Sequence, residues 1–248
     1  MLDVQHIGKR YGQHSALEGI SFQARSGEVF GLLGANGAGK TTLLRILSTL
    51  LRPTSGSASV AGFDVAARPQ EVRARIGLVS GGMGLHDRLT GAETLRYFAA
   101  LHGMNKFRTE ARIEVLDAQL DLGELLRRRA GSFSTGMKQK LVLARALIHD
   151  PPVLLLDEAS SGLDVLARRT LLDLVTSLRN RERLIVYSTH VMSEVEELCD
   201  RLAVISGGQV LSVASPAELV AQSGERNLER AFFKLLSAQK ALPEAIHG

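Results

Sequence analysis

Cysteine is almost absent from this chain: Cys199 is the single one among 248 residues. An internal disulfide is therefore excluded, and the usage suits a reducing compartment. Long apolar runs are missing too. The longest stretch free of charge, residues 202–217, is interrupted by Ser206-Gly207-Gly208 and by Ser215-Pro216, so no segment is expected to span a bilayer. Met1-Leu2-Asp3-Val4-Gln5-His6 has neither the basic start nor the apolar core of an export signal, and a cytoplasmic location is expected. Charge of one sign is scarce: 30 basic against 26 acidic residues leave a formal +4, which is no nucleic-acid footprint. The basic clusters Arg127-Arg128-Arg129 and residues 179–183 lack the interleaved aromatics of a base-stacking surface and read as solvated helix faces. No internal repeat or low-complexity linker is visible. What the chain does have is 45% hydrophobic residues, enough for a substantial buried core.

Taken in order, residues 2–11 and 17–24 alternate loosely around Gly12-Gln13-His14, which predicts an antiparallel ribbon at a sheet edge with Tyr11 at the turn. Residues 27–33 read as a strand. A helix is expected from Lys40 to about Leu51, where Pro53 stops it, then short strands at 57–61 and 76–79 with a helix at 69–74 between them. From Thr90, a fitting N-cap, the pattern is helical over 92–102, 107–120, 122–128 and 135–148. Strands at 153–156, 184–188 and 201–206 then alternate with helices at 164–178 and 192–199, the pattern of a parallel sheet covered on both sides. A strand at 209–213 and helices at 216–222 and 227–237 complete the chain.

Gly34-Ala35-Asn36-Gly37-Ala38-Gly39-Lys40-Thr41-Thr42 stands between a predicted strand and a predicted helix. It fits G-x-x-x-x-G-K-[ST], the phosphate-binding loop. Glycines 34, 37 and 39 allow positive φ and carry no Cβ, so backbone N–H groups can surround a phosphate chain, and the helix N-terminus adds partial positive charge. Lys40 reaches the β- and γ-phosphates, and the Thr41 hydroxyl suits Mg²⁺.

Asp157-Glu158 ends the apolar run Val153-Leu154-Leu155-Leu156. Beside a phosphate loop, Asp157 is placed to hold Mg²⁺, and Glu158, pointing the other way from the strand end, to polarise a water for attack on the γ-phosphate. The plainer alternative is an acidic pair capping a strand. His190, after Ser188-Thr189, would sit at the C-terminal edge where ligands of such sheets bind. On its own it is more often an ordinary polar residue at a strand end; its place in the series of motifs favours the functional reading. Ser134 and Gly136 open an amphipathic helix, as a second anion site or as a simple N-cap; the residues by themselves favour the cap.

The order of these elements, phosphate loop, helical insert, Ser-x-Gly helix, Asp-Glu strand, Ser161-Gly162-Leu163-Asp164, then Ser-Thr-His, resembles the ATP-binding cassette of ABC transporters over most of the chain. The resemblance implies an α/β P-loop NTPase cassette: a mostly parallel sheet with an antiparallel β edge and an all-helical insert. Residues 1–89 and 151–215 would form the core, 90–150 the helical subdomain and 216–248 the C-terminal helices. It further implies that Tyr11 stacks on adenine, that Gly34 to Thr42, with Asn36, Gly37, Gly39, Lys40, Thr41 and Thr42, bind ATP, and that Thr41 and Asp157 hold Mg²⁺. Glu158 would be the catalytic base and His190 the switch histidine. Ser134 and Gly136 would touch the γ-phosphate bound to the opposite subunit, and Asp164 would lie in the loop that crosses the dimer.

Two positions depart from the family pattern. Thr135 and Met137 replace the usual glycine and glutamine of the signature, and the Mg²⁺-binding glutamine that should fall near Gly81 is absent. Residues 79–90 and 133–137 resemble the NatA-like sodium-export branch of ABC-2 type ATPases. The resemblance thus implies an ATPase subunit, peripheral on the inner face of the plasma membrane. It would dimerise on ATP, with an identical copy as the expected partner, and serve a separate integral membrane permease, without nucleic acid. A soluble cassette ATPase acting on nucleic acid or protein assemblies is the rival reading. A nucleotide-binding regulator without turnover is a third, disfavoured by the presence of both Glu158 and His190.

Overall fold

A computed structural model describes residues 1–81 and 84–244, with side chains to residue 239. Gly82 and Met83, part of the segment that carries the branch resemblance, lie outside the described residues, as do residues 245–248 at the end of the expected C-terminal helices. The elements begin with β1 (Leu2–Tyr11), β2 (His14–Ala24), β3 (Val29–Leu33), α1 (Lys40–Leu47), β4 (Ser55–Val60), β5 (Phe63–Asp64), α2 (Pro69–Arg73) and β6 (Ile76–Ser80). A helical stretch follows: α3 (Gly91–Leu101), α4 (Lys106–Leu120) and α5 (Thr135–Leu147). Then come β7 (Val153–Asp157), α6 (Val165–Ser177), β8 (Leu184–Thr189), α7 (Met192–Leu198), β9 (Arg201–Ser206), β10 (Gln209–Ala214), α8 (Pro216–Ser223) and α9 (Leu228–Glu244).

The main sheet has six strands in the order β10-β9-β3-β8-β7-β6, with only β10 antiparallel to its neighbour. The N-terminal ribbon is not its edge. β1 also pairs with β4, and β4 with β5, so the ribbon belongs to a separate four-stranded antiparallel sheet, β2-β1-β4-β5. α1 lies between the two sheets. Leu43, Leu44, Ile46 and Leu47 pack with Val4, Ile7 and Phe22 of the antiparallel sheet and with Phe30, Leu155 and Val186 of the main one. The opposite face of the main sheet, including Val29, Leu33, Leu154, Leu156, Ile185 and Tyr187, is covered by the helices on its other side. Apolar residues of both parities in β3, β7 and β8 are thus buried, which is why these strands read as continuous apolar runs.

Several boundaries differ from the sequence reading. α1 ends at Leu47, not near Leu51: Thr49 turns left-handed at φ 64°, and the N–H groups of Leu50 and Leu51 both fold back onto the Arg45 carbonyl. The helix is stopped by this wrapped C-terminus before Pro53 is reached. Residues 123–126 form a short 3₁₀ turn in place of the expected helix, with the Asp117 carboxylate accepting from the Gly123 N–H. α9 runs to Glu244, beyond the expected end near residue 237. Arg183 does not lie on a solvated helix face. It is buried, and donates to the carbonyls of Pro151 and Leu178 and to Asp150, which also accepts from Arg112 on α4.

That last contact joins the helical stretch to the sheet, and a second junction lies close by. His102 follows α3 and His149 follows α5; their rings stack with centroids 3.6 Å apart, and His149 Nε2 lies 3.1 Å from the Ile76 carbonyl oxygen of β6. Burial first, then the neighbouring His102, with Arg112 adding to the effect, brings the His149 imidazole down to about 4 from 6.5. A depressed folded value means that the unfolded chain binds this proton first, so the contribution is present above about 6.5 and is lost as the pH falls towards 4. The urea midpoint should accordingly drop across that window, and His149→Phe, which keeps a flat ring in the stack, should flatten the drop.

Candidate functional site

β3, β8 and β7 are adjacent and parallel, in a register that pairs Leu33 with Thr189 and Asp157 with Ser188. Their C-terminal ends therefore stop in one row. From that row the chain leaves into the glycine loop after β3, into Glu158 after β7 and into His190 after β8. Polar groups gather there because the strands themselves are apolar on both faces.

The three loop glycines serve different needs. Gly37 and Gly39 have φ of 81° and 107°, whereas Gly34 does not have positive φ. A Cβ at Gly34 would lie 2.3 Å from the Ile205 carbonyl oxygen, so glycine is required there by the approach of β9. Gly39 is the left-handed N-cap of α1 and offers no side chain to the first-turn N–H groups, which leaves them for an anion. Lys40 is only 3% exposed. Its ammonium bends back onto the loop, donating to the Gly34 carbonyl at 2.7 Å and the Ala35 carbonyl at 3.1 Å, and lies 3.3 Å from Glu158 Oε1. A cavity of about 400 Å³ opens over this arrangement. Asn36, Gly37, Gly39, Lys40, Thr41 and Thr42 line it, as do Glu158 and Tyr11. His14 and Ala16 line it too; the sequence reading missed them, and no spacing signal marks them.

Asp157, the last residue of β7, is 4% exposed, and the Thr41 hydroxyl donates to its Oδ1 at 3.2 Å. Burial raises its carboxyl above the usual range, an effect that the Thr41 hydrogen bond opposes. Glu158 does not point away from this group. It has φ of 48°, a left-handed conformation rare outside glycine, and its N–H donates to the Ser188 carbonyl. The chain turns so sharply there that its carboxylate comes back to the loop mouth, 3.3 Å from Lys40 Nζ and 3.6 Å from His190 Nδ1. His190 thus meets Glu158 in space, although its ring remains half exposed.

Ser134, Gly136 and Asp164 are not brought to this cavity. Within the single chain Ser134 caps α5, its Oγ accepting from the Met137 N–H, and Asp164 caps α6 by accepting from the Ala167 N–H at 2.8 Å. Ser134 and Gly136 border a different recess, against Ala167 and Thr170 of α6. Another link was not foreseen: the Gln139 side-chain amide donates to the Ala159 carbonyl and ties α5 to the turn just after Glu158.

A family model for ABC transporters matches residues 17–161, more than half of the chain. The chain belongs to the ABC transporter family. It is 44% identical over 197 residues to the ABC transporter ATP-binding protein NatA of Bacillus subtilis (strain 168), covering 79% of this chain and 80% of that protein. It is 40% identical over 223 residues to the daunorubicin resistance ATP-binding protein DrrA3 of Streptomyces coeruleorubidus, covering 90% and 71%. A Nod factor export ATP-binding protein I, from Burkholderia orbicola (strain AU 1054), is 39% identical over 219 residues, covering 88% and 72%. A solved structure of the ATP-binding subunit of an ABC transporter superposes with a TM-score of 0.85 at 29% identity, over 95% of this chain and 99% of that one. The expected α/β cassette is thus the fold, and the chain is an ATP-binding, ATP-hydrolysing subunit of this family.

The Asp157 geometry gives a prediction for the cassette without nucleotide. A raised folded value means that the ionised carboxylate weakens the fold at neutral pH. Asp157→Asn should therefore shift the urea midpoint of the nucleotide-free protein upward at pH 7. An unchanged or lowered midpoint would show that the Thr41 hydrogen bond outweighs the cost of burial.

Proposed function

We propose that this cassette powers export through a separate ABC-2 type membrane permease, with two ATP molecules clamped between two identical copies of the chain. The observation that carries the reading is the meeting of Lys40, Thr41, Asp157, Glu158 and His190 at one mouth. In this reading Tyr11 stacks on adenine and the N–H groups of residues 34–42 hold the phosphates. Lys40 exchanges its two loop carbonyls for phosphate oxygens, a switch that needs only rotation of a flexible stem.

Thr41 and Asp157 would hold Mg²⁺. Their fit rests on the donor set: a hydroxyl and a buried carboxylate oxygen 3.2 Å apart, both hard oxygen ligands. Among the described residues no group of three or more His, Cys, Asp or Glu could hold an ion unaided, which suits an ion completed by water and phosphate. When bound, Mg²⁺ would supply positive charge to the transferred phosphoryl group. Glu158 acts as the base that takes the proton of the attacking water, and His190, 3.6 Å from the same carboxylate, holds that water and the γ-phosphate in line.

Ser134, Gly136 and Asp164 act across the dimer in this reading. Val165 and Leu166, beside Asp164, are 79% and 80% exposed, as a face awaiting a second copy would be. The permease docks on the helical stretch, where Tyr97 and Leu101 of α3 and Phe107 of α4 are exposed and where Tyr97, with Leu85, Phe98 and Arg145, lines a groove of about 520 Å³. Among the described residues no helix is long and apolar enough to cross a membrane, so the cassette is taken to sit on the inner face of the plasma membrane through its partner. Coupling then proceeds with Gly81 where the family has glutamine. Sodium is the proposed cargo, on the resemblance of residues 79–90 and 133–137 to the NatA-like branch.

Glu158→Gln should lower kcat about 10²- to 10⁴-fold while ATP affinity is kept or tightened, because the substitution frees Lys40 from its ion pair. Full turnover in this variant would remove the general-base assignment. Reconstitution with an ABC-2 type permease, in vesicles, should raise ATPase activity and drive sodium across the membrane. Stimulation without sodium movement would leave the exporter and remove the cargo.

A further inference from the structure

Asp157 has an evident place in the site; the other buried carboxylate among the described residues, Glu194, does not. It lies in the first turn of α7 at 1% exposure. Its Oε2 accepts from the Thr189 hydroxyl at 2.6 Å and from the Tyr187 phenol at 3.1 Å. Burial, with the Glu194 charge adding to it, pushes the Tyr187 phenol above its ordinary range and keeps it a donor. The Thr189 hydroxyl in turn accepts from the Val191 N–H at 3.0 Å. One hydroxyl thus fixes the backbone on both sides of His190, and Glu194 fixes that hydroxyl.

The second oxygen of Glu194 is different. Oε1 is buried and has no hydrogen-bond partner among the described residues. It faces Arg168 Nε at 3.7 Å, which is buried and without a hydrogen-bond partner as well. Arg168 stands in the first turn of α6, its N–H donating to the Asp164 carbonyl. A charged donor and a charged acceptor left facing each other just beyond hydrogen-bond length form a contact that a small shift of the α6 start would close. Leaving both unmet is unfavourable.

We propose that Glu194 is a positioning residue: through Thr189 it holds His190 toward Glu158, and its unmet oxygen closes onto Arg168 when the Asp164 segment engages a second copy, so dimer closure sets the histidine. The proposal rests on the dimer reading above and on His190 acting at the γ-phosphate. If Glu194 only satisfied two core hydroxyls, glutamine would serve as well, since its amide oxygen accepts from both. Its NH₂, however, cannot accept from Arg168.

The test is a cycle on the full chain with ATP and Mg²⁺, measured as kcat, ATP affinity and single-turnover rate for Glu194→Gln, His190→Ala and the double variant. Glu194→Gln is expected to lower kcat about tenfold, the size of coupling common within one hydrogen-bond network, with ATP affinity within about twofold. In the His190→Ala background the same substitution is expected to change nothing further. Equal losses in both backgrounds, or full activity in Glu194→Gln, would overturn the proposal. Should Glu194→Gln fail to fold, Arg168→Met, at a half-exposed position, breaks the same contact and enters the same cycle with the same criteria. Full turnover in both His190→Ala and Glu158→Gln would bring down the site reading and this proposal together. Loss in those two with an additive Glu194 effect would bring down this proposal alone.

Discussion

Strands buried on both faces can carry polar chemistry only where they end. β3, β7 and β8 put apolar side chains of both parities into two cores, so the glycine loop, Asp157, Glu158 and His190 all collect along one edge. The register of the parallel ladder brings those ends level. A slip of one strand would carry its end out of that row, so the register of the ladder sets the site geometry.

At that edge the electrostatics are held in check. Lys40 is enclosed and has its charge satisfied by two carbonyls of its own loop and by Glu158. Asp157 has its charge answered by a hydroxyl rather than a cation. Each of these contacts is of a kind that a triphosphate and its ion can take over, because none is built into the core packing. The left-handed backbone at Glu158 serves the same arrangement. An extended residue would continue β7 and carry its side chain away, whereas the turn returns the carboxylate to within reach of both Lys40 and His190.

The helical stretch shares one apolar core with a face of the main sheet, and polar junctions tie the two together as well. Asp150 links Arg112 of α4 to buried Arg183, the His102–His149 stack rests against β6, and Gln139 joins α5 to the turn after Glu158. The Glu194 node is a further polar junction, with one oxygen committed and one without a hydrogen-bond partner among the described residues.

Much was legible in the chain itself. The spacing of Gly34, Gly39, Lys40 and Thr41 between a strand and a helix specifies a phosphate loop by chemistry alone, and the apolar run before Asp157 specifies a doubly covered strand. Local sequence sets these because they depend on neighbours a few residues away. What only the tertiary structure decided depends on partners distant in sequence. The Ile205 carbonyl, not backbone freedom, demands glycine at 34. The ribbon of β1 and β2 finds β4 instead of the main sheet, and Arg183, in what reads as a solvated cluster, is drawn inside by three acceptors. Glu194 follows the same rule: nothing in its own stretch distinguishes it from Glu196 and Glu197, and only the folding of α7 against β8 and α6 makes it the buried one.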